Sequence, residues 1–334
     1  MPRSLEPRLT ELRDRLGDSP VRDLVGGVRL LRYRVAPGAA RPVAEQYARL
    51  TGFTPAAAWE IPAAGLRCVE LRSPADTLSL VVEESPGVGG DSIPRLTAIG
   101  FECAEPAAVA RRVRDEGTAF EEGPDRLVTA EIPGLEARFE YLAPGAGIQG
   151  KASAWAPVGH VPEAPGDLPP AAVRANVVDH VAFRIRLEGF EDAATRLMRL
   201  TPYRFSECFT IGSENAETMT FRRGDARPAL VASYGWAEDS VVWGFVARHG
   251  PRVHHTAFYT NDIAALVTFG REHGVPFTTP GLIGSEARGI LQVFTHPLPG
   301  HGEIVEYIQR FHGFRGFFDP GNVGELMAST RPFN

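Results

Sequence analysis

Apolar and polar positions fall into one plan that recurs four times along the chain: a short β-rich run, an amphipathic helix, then further strands. The third copy opens on Val178-Asp179-His180-Val181-Ala182-Phe183. A strand turns alternate residues to opposite faces, so Val181, Phe183 and Ile185 form one set and Val178, His180, Ala182 and Arg184 the other. Its helix carries Phe190, Ala194, Leu197 and Leu200 on one face. The fourth copy opens on Val253-His254-His255-Thr256-Ala257-Phe258, with a helix from about Asp262 to a stop at Gly274. The second starts Leu96-Thr97-Ala98-Ile99-Gly100-Phe101, and its helix is expected from Pro106, a favoured first-turn residue, to Gly117, a favoured stop. The first is the faintest: Val28 to Tyr33, then a helix from about Pro42 to Gly52.

The ends of the copies echo one another too, as Arg138-Phe139-Glu140-Tyr141-Leu142 and Ile304-Val305-Glu306-Tyr307-Ile308. Internal repetition decides fold class, and it predicts an α+β chain of four βαβββ modules paired into halves at 25–145 and 177–330. A length of 334 residues is more than one compact core usually serves. Residues 146–176 are rich in Ala, Pro and Gly and read as a surface linker. Residues 1–24 carry Leu5, Leu9, Leu12 and Leu16, an amphipathic helix expected to cap the first half.

Composition narrows the class. Charged residues make up 23% and the formal net charge is -6, which argues against nucleic acid, since phosphate binding wants a basic face. Residues 1–20 are charged throughout, so no secretory leader is expected, and no run approaches the roughly 18 apolar residues of a membrane span. Cys68, Cys103 and Cys208 show no paired spacing. A reducing cytoplasm is the expected location.

The repeat frame also isolates the candidate chemistry. His180 and His255 stand at equivalent points of two paired modules, where the second module has Ala98 and the first Leu30. Paired modules would turn the two imidazoles toward a shared concavity. Glu306 lies in an otherwise apolar strand, where a carboxylate is costly unless it is paired or holds a metal. Two histidines and one carboxylate suit non-haem iron(II), with positions left open for substrate and oxygen. His254 is the alternative to His255, although alternation points it the other way. Glu140 has the local setting of Glu306 without histidines in its half, so such a Glu can also serve packing or ion pairing.

Val178-Asp179-His180-Val181-Ala182-Phe183, Val253-His254-His255-Thr256-Ala257, Leu291-Gln292-Val293-Phe294-Thr295 and Val305-Glu306-Tyr307-Ile308-Gln309-Arg310 together resemble the 4-hydroxyphenylpyruvate dioxygenase and hydroxymandelate synthase family. That family has the vicinal oxygen chelate fold, glyoxalase-like open barrels. Gly321-Asn322 resembles its closing Gly-Asn segment, and the resemblance covers roughly 175–330. It implies Fe(II) on His180, His255 and Glu306. It also implies a 2-oxo acid substrate, an aryl one in the family, oxidatively decarboxylated with O2 so that the remaining skeleton is hydroxylated.

Gln292 and Phe294 share one strand face, so an amide donor and a ring are expected to line the cleft. The plainer readings are a Gln bonded to backbone and a Phe in the core. Other substrate-contact positions of the family fall on Met219, Ser240, Asn322 and Val323. There this chain departs from the pattern: Ala216 precedes Thr218-Met219, Leu230-Val231-Ala232-Ser233 lacks an Asn, Ser240 replaces a Gln, and Val323 replaces an aromatic. Lost hydrogen-bond partners change specificity by orders of magnitude.

Three functions compete. The first is the 2-oxo-acid oxygenase. Extradiol catechol cleavage uses the same ligand types and wants a further His, for which His254, His296 and His301 are candidates. The third is a binding protein without catalysis, which metal analysis would separate from the others. The stretch from about Gly316 to Ser329, with Phe317 and Phe318, reads either as a lid or as a helix completing the core. A homodimer is left open.

Overall fold

A computed structural model of the chain describes residues 5–73, 75, 77–86, 95–149, 154–298, 302–311, 314 and 316–333. The N-terminal half runs β1 (Val25–Val35), α2 (Ala40–Thr51), β2 (Thr54–Ile61), β3 (Leu66–Arg72), β4 (Ser79–Glu84), β5 (Arg95–Cys103), α3 (Pro106–Asp115), β6 (Phe120–Glu122), β7 (Arg126–Thr129) and β8 (Arg138–Leu142), preceded by α1 (Glu6–Leu16). A short β9 (Ala156–Pro157) follows. The C-terminal half runs β10 (Val177–Arg184), α4 (Phe190–Leu200), β11 (Arg204–Ile211), β12 (Ala216–Arg223), β13 (Ala226–Gly235), α5 (Val241–His249), β14 (Arg252–Tyr259), α6 (Ile263–Glu272), β15 (Ile283–Ser285), β16 (Ile290–Phe294), β17 (Ile304–Arg310) and α7 (Pro320–Ser329).

Each half is one mixed sheet, and the orders match. β6-β7-β8-β5-β1-β4-β3-β2-β9 answers to β15-β16-β17-β14-β10-β13-β12-β11, with β9 as an addition at one edge. In each sheet the leading strands of two modules pair antiparallel at the centre, β1 with β5 and β10 with β14. The fourfold repeat in the sequence is thus a fourfold repeat in space.

Two expectations need correction. Helix α1 does not cap the first half. Its buried Leu9 and Leu12 pack toward α4 and β11, Leu5 N donates to Glu217 at 3.1 Å, and Arg8 pairs with Glu191, all in the C-terminal half. The stretch 146–176 does more than cross the surface. Ala146 and Ile148 are buried beside Leu30 and Leu142, and Ala156–Pro157 hydrogen-bonds to β2.

The halves share one core. Apolar side chains of both sheets and of the helices between them form a single buried cluster, in which Phe53 meets Phe258 and Phe101 meets Tyr203. Buried tyrosines tie the seam: Tyr141 donates to Leu200 O at 2.6 Å and Tyr307 to Leu50 O at 2.8 Å. Val181, Phe183 and Ile185 face this core, as alternation requires. Val178 joins them instead of His180, because a bulge between Val178 and His180 shifts the register.

A buried titratable group, Glu303, also lies in the seam. Glu303 is buried, accepting from Tyr47 at 3.0 Å and from Thr256 at 2.5 Å, with Tyr33 bonded to Thr256 at 2.8 Å. Burial raises its carboxyl to about 7 against the opposing pull of these hydrogen bonds. The folded value lies above the unfolded one, about 4.3. Stability from the neutral acid is therefore full below that unfolded value and lost as pH rises through 7. Between pH 5 and 8 the protein is expected to lose about 2–3 kcal/mol that Glu303→Gln does not lose. Denaturant titrations at each pH check this; parallel pH curves for the two proteins would remove Glu303 as the source.

Candidate metal centre

Three adjacent strands deliver the centre. In the register, His180 of β10 lies opposite Ala257 of β14, Ala257 opposite Glu306 of β17, and His255 opposite Ala182. His180 Nε2 lies 3.1 Å from Glu306 Oε2, His255 Nε2 lies 3.2 Å from the same oxygen, and the two nitrogens are 3.3 Å apart. Donors on one ion, with bonds of about 2.1 Å at octahedral or tetrahedral angles, stand roughly 3.0–3.4 Å apart. The three atoms have that spacing. His180 and Glu306 are fully buried, and the His255 side chain is 14% exposed, leaving one approach.

The far side of each ligand is fixed. His180 Nδ1 meets Asp179 Oδ1 at 3.0 Å, which makes Nδ1 the protonated nitrogen and frees the Nε2 lone pair for an ion. Asp179 is held by Arg310 at 2.8 and 3.1 Å and by Arg227 at 3.4 Å. Burial would raise its carboxyl, but Arg310 and the His180 contact hold it far below the usual carboxylate range. His255 Nδ1 meets His254 Nδ1 at 2.8 Å. For His255 to offer Nε2, it must donate here and His254 must be neutral. Burial, with the Arg184 and His255 charges, does push His254 well below its ordinary value. Glu306 is lowered although burial opposes it, because His180 lies against it. Gln292 Nε2 donates to the other Glu306 oxygen at 2.7 Å, and Gln292 Oε1 accepts from Asn322 at 3.2 Å.

Histidine 254 lines the cleft as well, which alternation did not allow. Phe183 pairs with Val253 and Ala182 with His255, so His254 is the extra residue of a bulge that brings both histidines to one face. It supports His255 and stays outside the cluster of three. His296 packs on Phe333 away from the cleft, and His301 and His312 lie outside the described residues.

The other predicted contacts divide. Gln292, Phe294 and Val323 line the cleft, and the Phe294 ring stands 4.8 Å from that of His255. The Gln292 amide is engaged by Glu306 and Asn322 and orients the Glu306 carboxylate. Asn322 acts behind it. Met219 and Ser240 are corrections. Met219 points into the shared core, while its neighbour Thr218 faces the cleft, since adjacent strand residues face opposite ways. Ser240 caps α5, its hydroxyl accepting from Val242 N at 3.3 Å. Missed from sequence were Asp179 and Arg310 behind His180, and the Thr218–Ser233 hydroxyl pair, 2.9 Å apart, on the wall. Asp179 adjoins His180 in the quoted motif, and that adjacency was the available signal. Phe318 and α7 complete the enclosure; the Phe318 ring lies 5.1 Å from that of His180.

In the N-terminal half, Leu30, Ala98 and Glu140 stand where His180, His255 and Glu306 stand. Arg32 occupies the space between them. Its guanidinium donates to both Glu140 oxygens at 2.8 and 3.2 Å, to Glu83 at 2.9 Å and to Ile148 O at 2.7 Å. A protein cation thus answers the carboxylate there.

Neither a protein-family model nor a curated protein matches the sequence. Among solved structures, a triple mutant of 4-hydroxymandelate synthase from Streptomyces coelicolor superposes with a TM-score of 0.70 at 20% identity, over 93% of this chain and 99% of that one. The chain has the vicinal oxygen chelate fold. A xylose isomerase-like TIM barrel/4-hydroxyphenylpyruvate dioxygenase fusion protein superposes with a TM-score of 0.65 at 15% identity over 97% of this chain, which spans 56% of the fusion's length. No helix among the described residues is long and apolar enough to cross a membrane.

Proposed function

We propose that the chain is an Fe(II)-dependent dioxygenase of the 4-hydroxyphenylpyruvate dioxygenase and hydroxymandelate synthase type, acting on a 2-oxo acid with O2. The observation that carries this reading is the convergence of two imidazole nitrogens and one carboxylate oxygen in a cleft where His180 and Glu306 are buried and His255 is partly exposed. Bound there, ferrous iron would supply a redox-active Lewis acid able to take the oxo acid and oxygen.

The protein's own contribution is positional. His180, His255 and Glu306 would hold the ion. Asp179 and His254 keep Nε2 of each imidazole free of its proton, and Gln292 fixes the orientation of the carboxylate. Phe294, Phe318, Val323, Leu326 and Met327 form an apolar wall that excludes water from the reacting centre. The cleft measures about 40 Å³. An engineered cavity that takes benzene measures roughly 150 Å³. An aryl substrate therefore requires the wall to open, and α7, which supplies three of those wall residues, would serve as the lid.

Anaerobic addition of 2-oxo acids to the Fe(II) protein is expected to give a visible charge-transfer colour, and admitting air should then release CO2. A panel of 2-oxo acids that gives neither colour nor oxygen uptake would defeat the proposal. Extradiol cleavage draws support from His254 on the cleft wall, and a coloured ring-opened product from a catechol would decide for it.

A further inference from the structure

The N-terminal half contains a second cavity, of about 190 Å³, at the place the metal centre takes in its partner half. The Arg32–Glu140 pair closes its floor. Thr97 and Ala98 face it together, because Thr97 is the extra residue of a bulge, the counterpart of His254. The metal cleft is walled by apolar groups, and this one by charge. Arg34, Arg95, Arg126 and Arg138 rise from the floor, with Trp155 as one side.

These arginines are incompletely matched. Arg34 and Arg126 come only within 3.9 and 4.0 Å of Glu83 and Glu140, both of which already accept from Arg32 at shorter range, and Arg126 spends one further donor on Ile148 O at 3.3 Å. Arg95 is 3.8 Å from Glu131. No ion pair of Arg138 is found among the described residues, and Arg34 Nε is buried with no hydrogen-bond partner among them. Glu121 also lines the wall, so Arg32, Arg34, Arg95, Arg126 and Arg138 face Glu83, Glu121, Glu131 and Glu140, and the balance is positive by one charge. Guanidinium forks match the oxygens of carboxylates and phosphates. The volume exceeds the roughly 150 Å³ that accommodates benzene, so a small organic body fits beside the charged group.

We propose that this cavity binds a small oxyanion-bearing molecule, a phosphate or a dicarboxylate, through Arg34, Arg126 and Arg138. The site is separate from the metal centre and independent of the reaction assigned to it.

Calorimetric titration of the intact, metal-loaded chain with inorganic phosphate, and separately with succinate, tests the proposal and tells the two chemistries apart. At least one of them is expected to bind with a Kd below about 1 mM. Arg34→Met and Arg138→Gln should each weaken that binding by about 10-fold or more. Glu306→Ala should leave it unchanged. Both arginines are partly exposed, and melting curves will confirm that the variants fold. No binding of either anion, binding indifferent to the two arginine substitutions, or binding lost in Glu306→Ala would each overturn the proposal.

Discussion

Replacing Glu306 with alanine is expected to remove both iron binding and oxygen uptake. The loss should exceed the roughly 10- to 100-fold that deletion of an outer partner costs a metal site. Glu306 Oε2 is the atom both imidazole nitrogens approach, at 3.1 and 3.2 Å, so without it two nitrogen donors face each other with no anion between them. His180→Ala and His255→Ala should behave alike. Asp179→Asn is the informative contrast. It leaves all three donors in place but weakens the carboxylate that sets the His180 tautomer, so its cost should stay within that 10- to 100-fold range. Equilibrium dialysis against Fe(II), run beside an oxygen electrode, reads both effects. Glu306→Ala protein that holds iron like the parent would disprove the assignment.

Arg32→Ala is expected to destabilise the fold by about 3–5 kcal/mol, the range for breaking one side of a buried ion pair. Two carboxylates and a backbone carbonyl converge on that guanidinium, and Glu140 is almost wholly buried. Removing the cation leaves a charge in the protein interior with Arg126, at 4.0 Å, and the more distant Arg138 to answer it. The double variant Arg32→Met/Glu140→Met should recover much of the loss, because an apolar pair of similar volume avoids the desolvation penalty. Urea denaturation of the single and double variants measures both. A single variant as stable as the parent would show that the pair contributes little.

How much of this was legible in the sequence depends on what a periodic pattern can encode. The modules were readable because alternation and helical spacing recur four times, and Pro106, Gly117 and Gly274 punctuate the helices where expected. The convergence of His180, His255 and Glu306 also follows from that frame. The bulge at His254 was not readable, since one inserted residue leaves apolar alternation intact on either side and only the partner strand reveals it. The docking of α1 was missed for a related reason: a leucine stripe says that a face is buried but not against which surface. Met219 and Ser240 were placed by resemblance to a family pattern from which this chain departs at Ala216, just before Met219, and at Ser240 itself. There, strand phase for Met219 and a helix cap for Ser240 decide the role.

The Arg32–Glu140 pair gives the N-terminal half a positive centre of its own. A guanidinium is synthesised with the chain and cannot be chelated, oxidised or diluted away. The N-terminal half is therefore complete as soon as it folds. Under the proposed function the C-terminal half would instead recruit its ion from the surroundings, so scarcity of iron would silence the chemistry while the architecture that frames it stands.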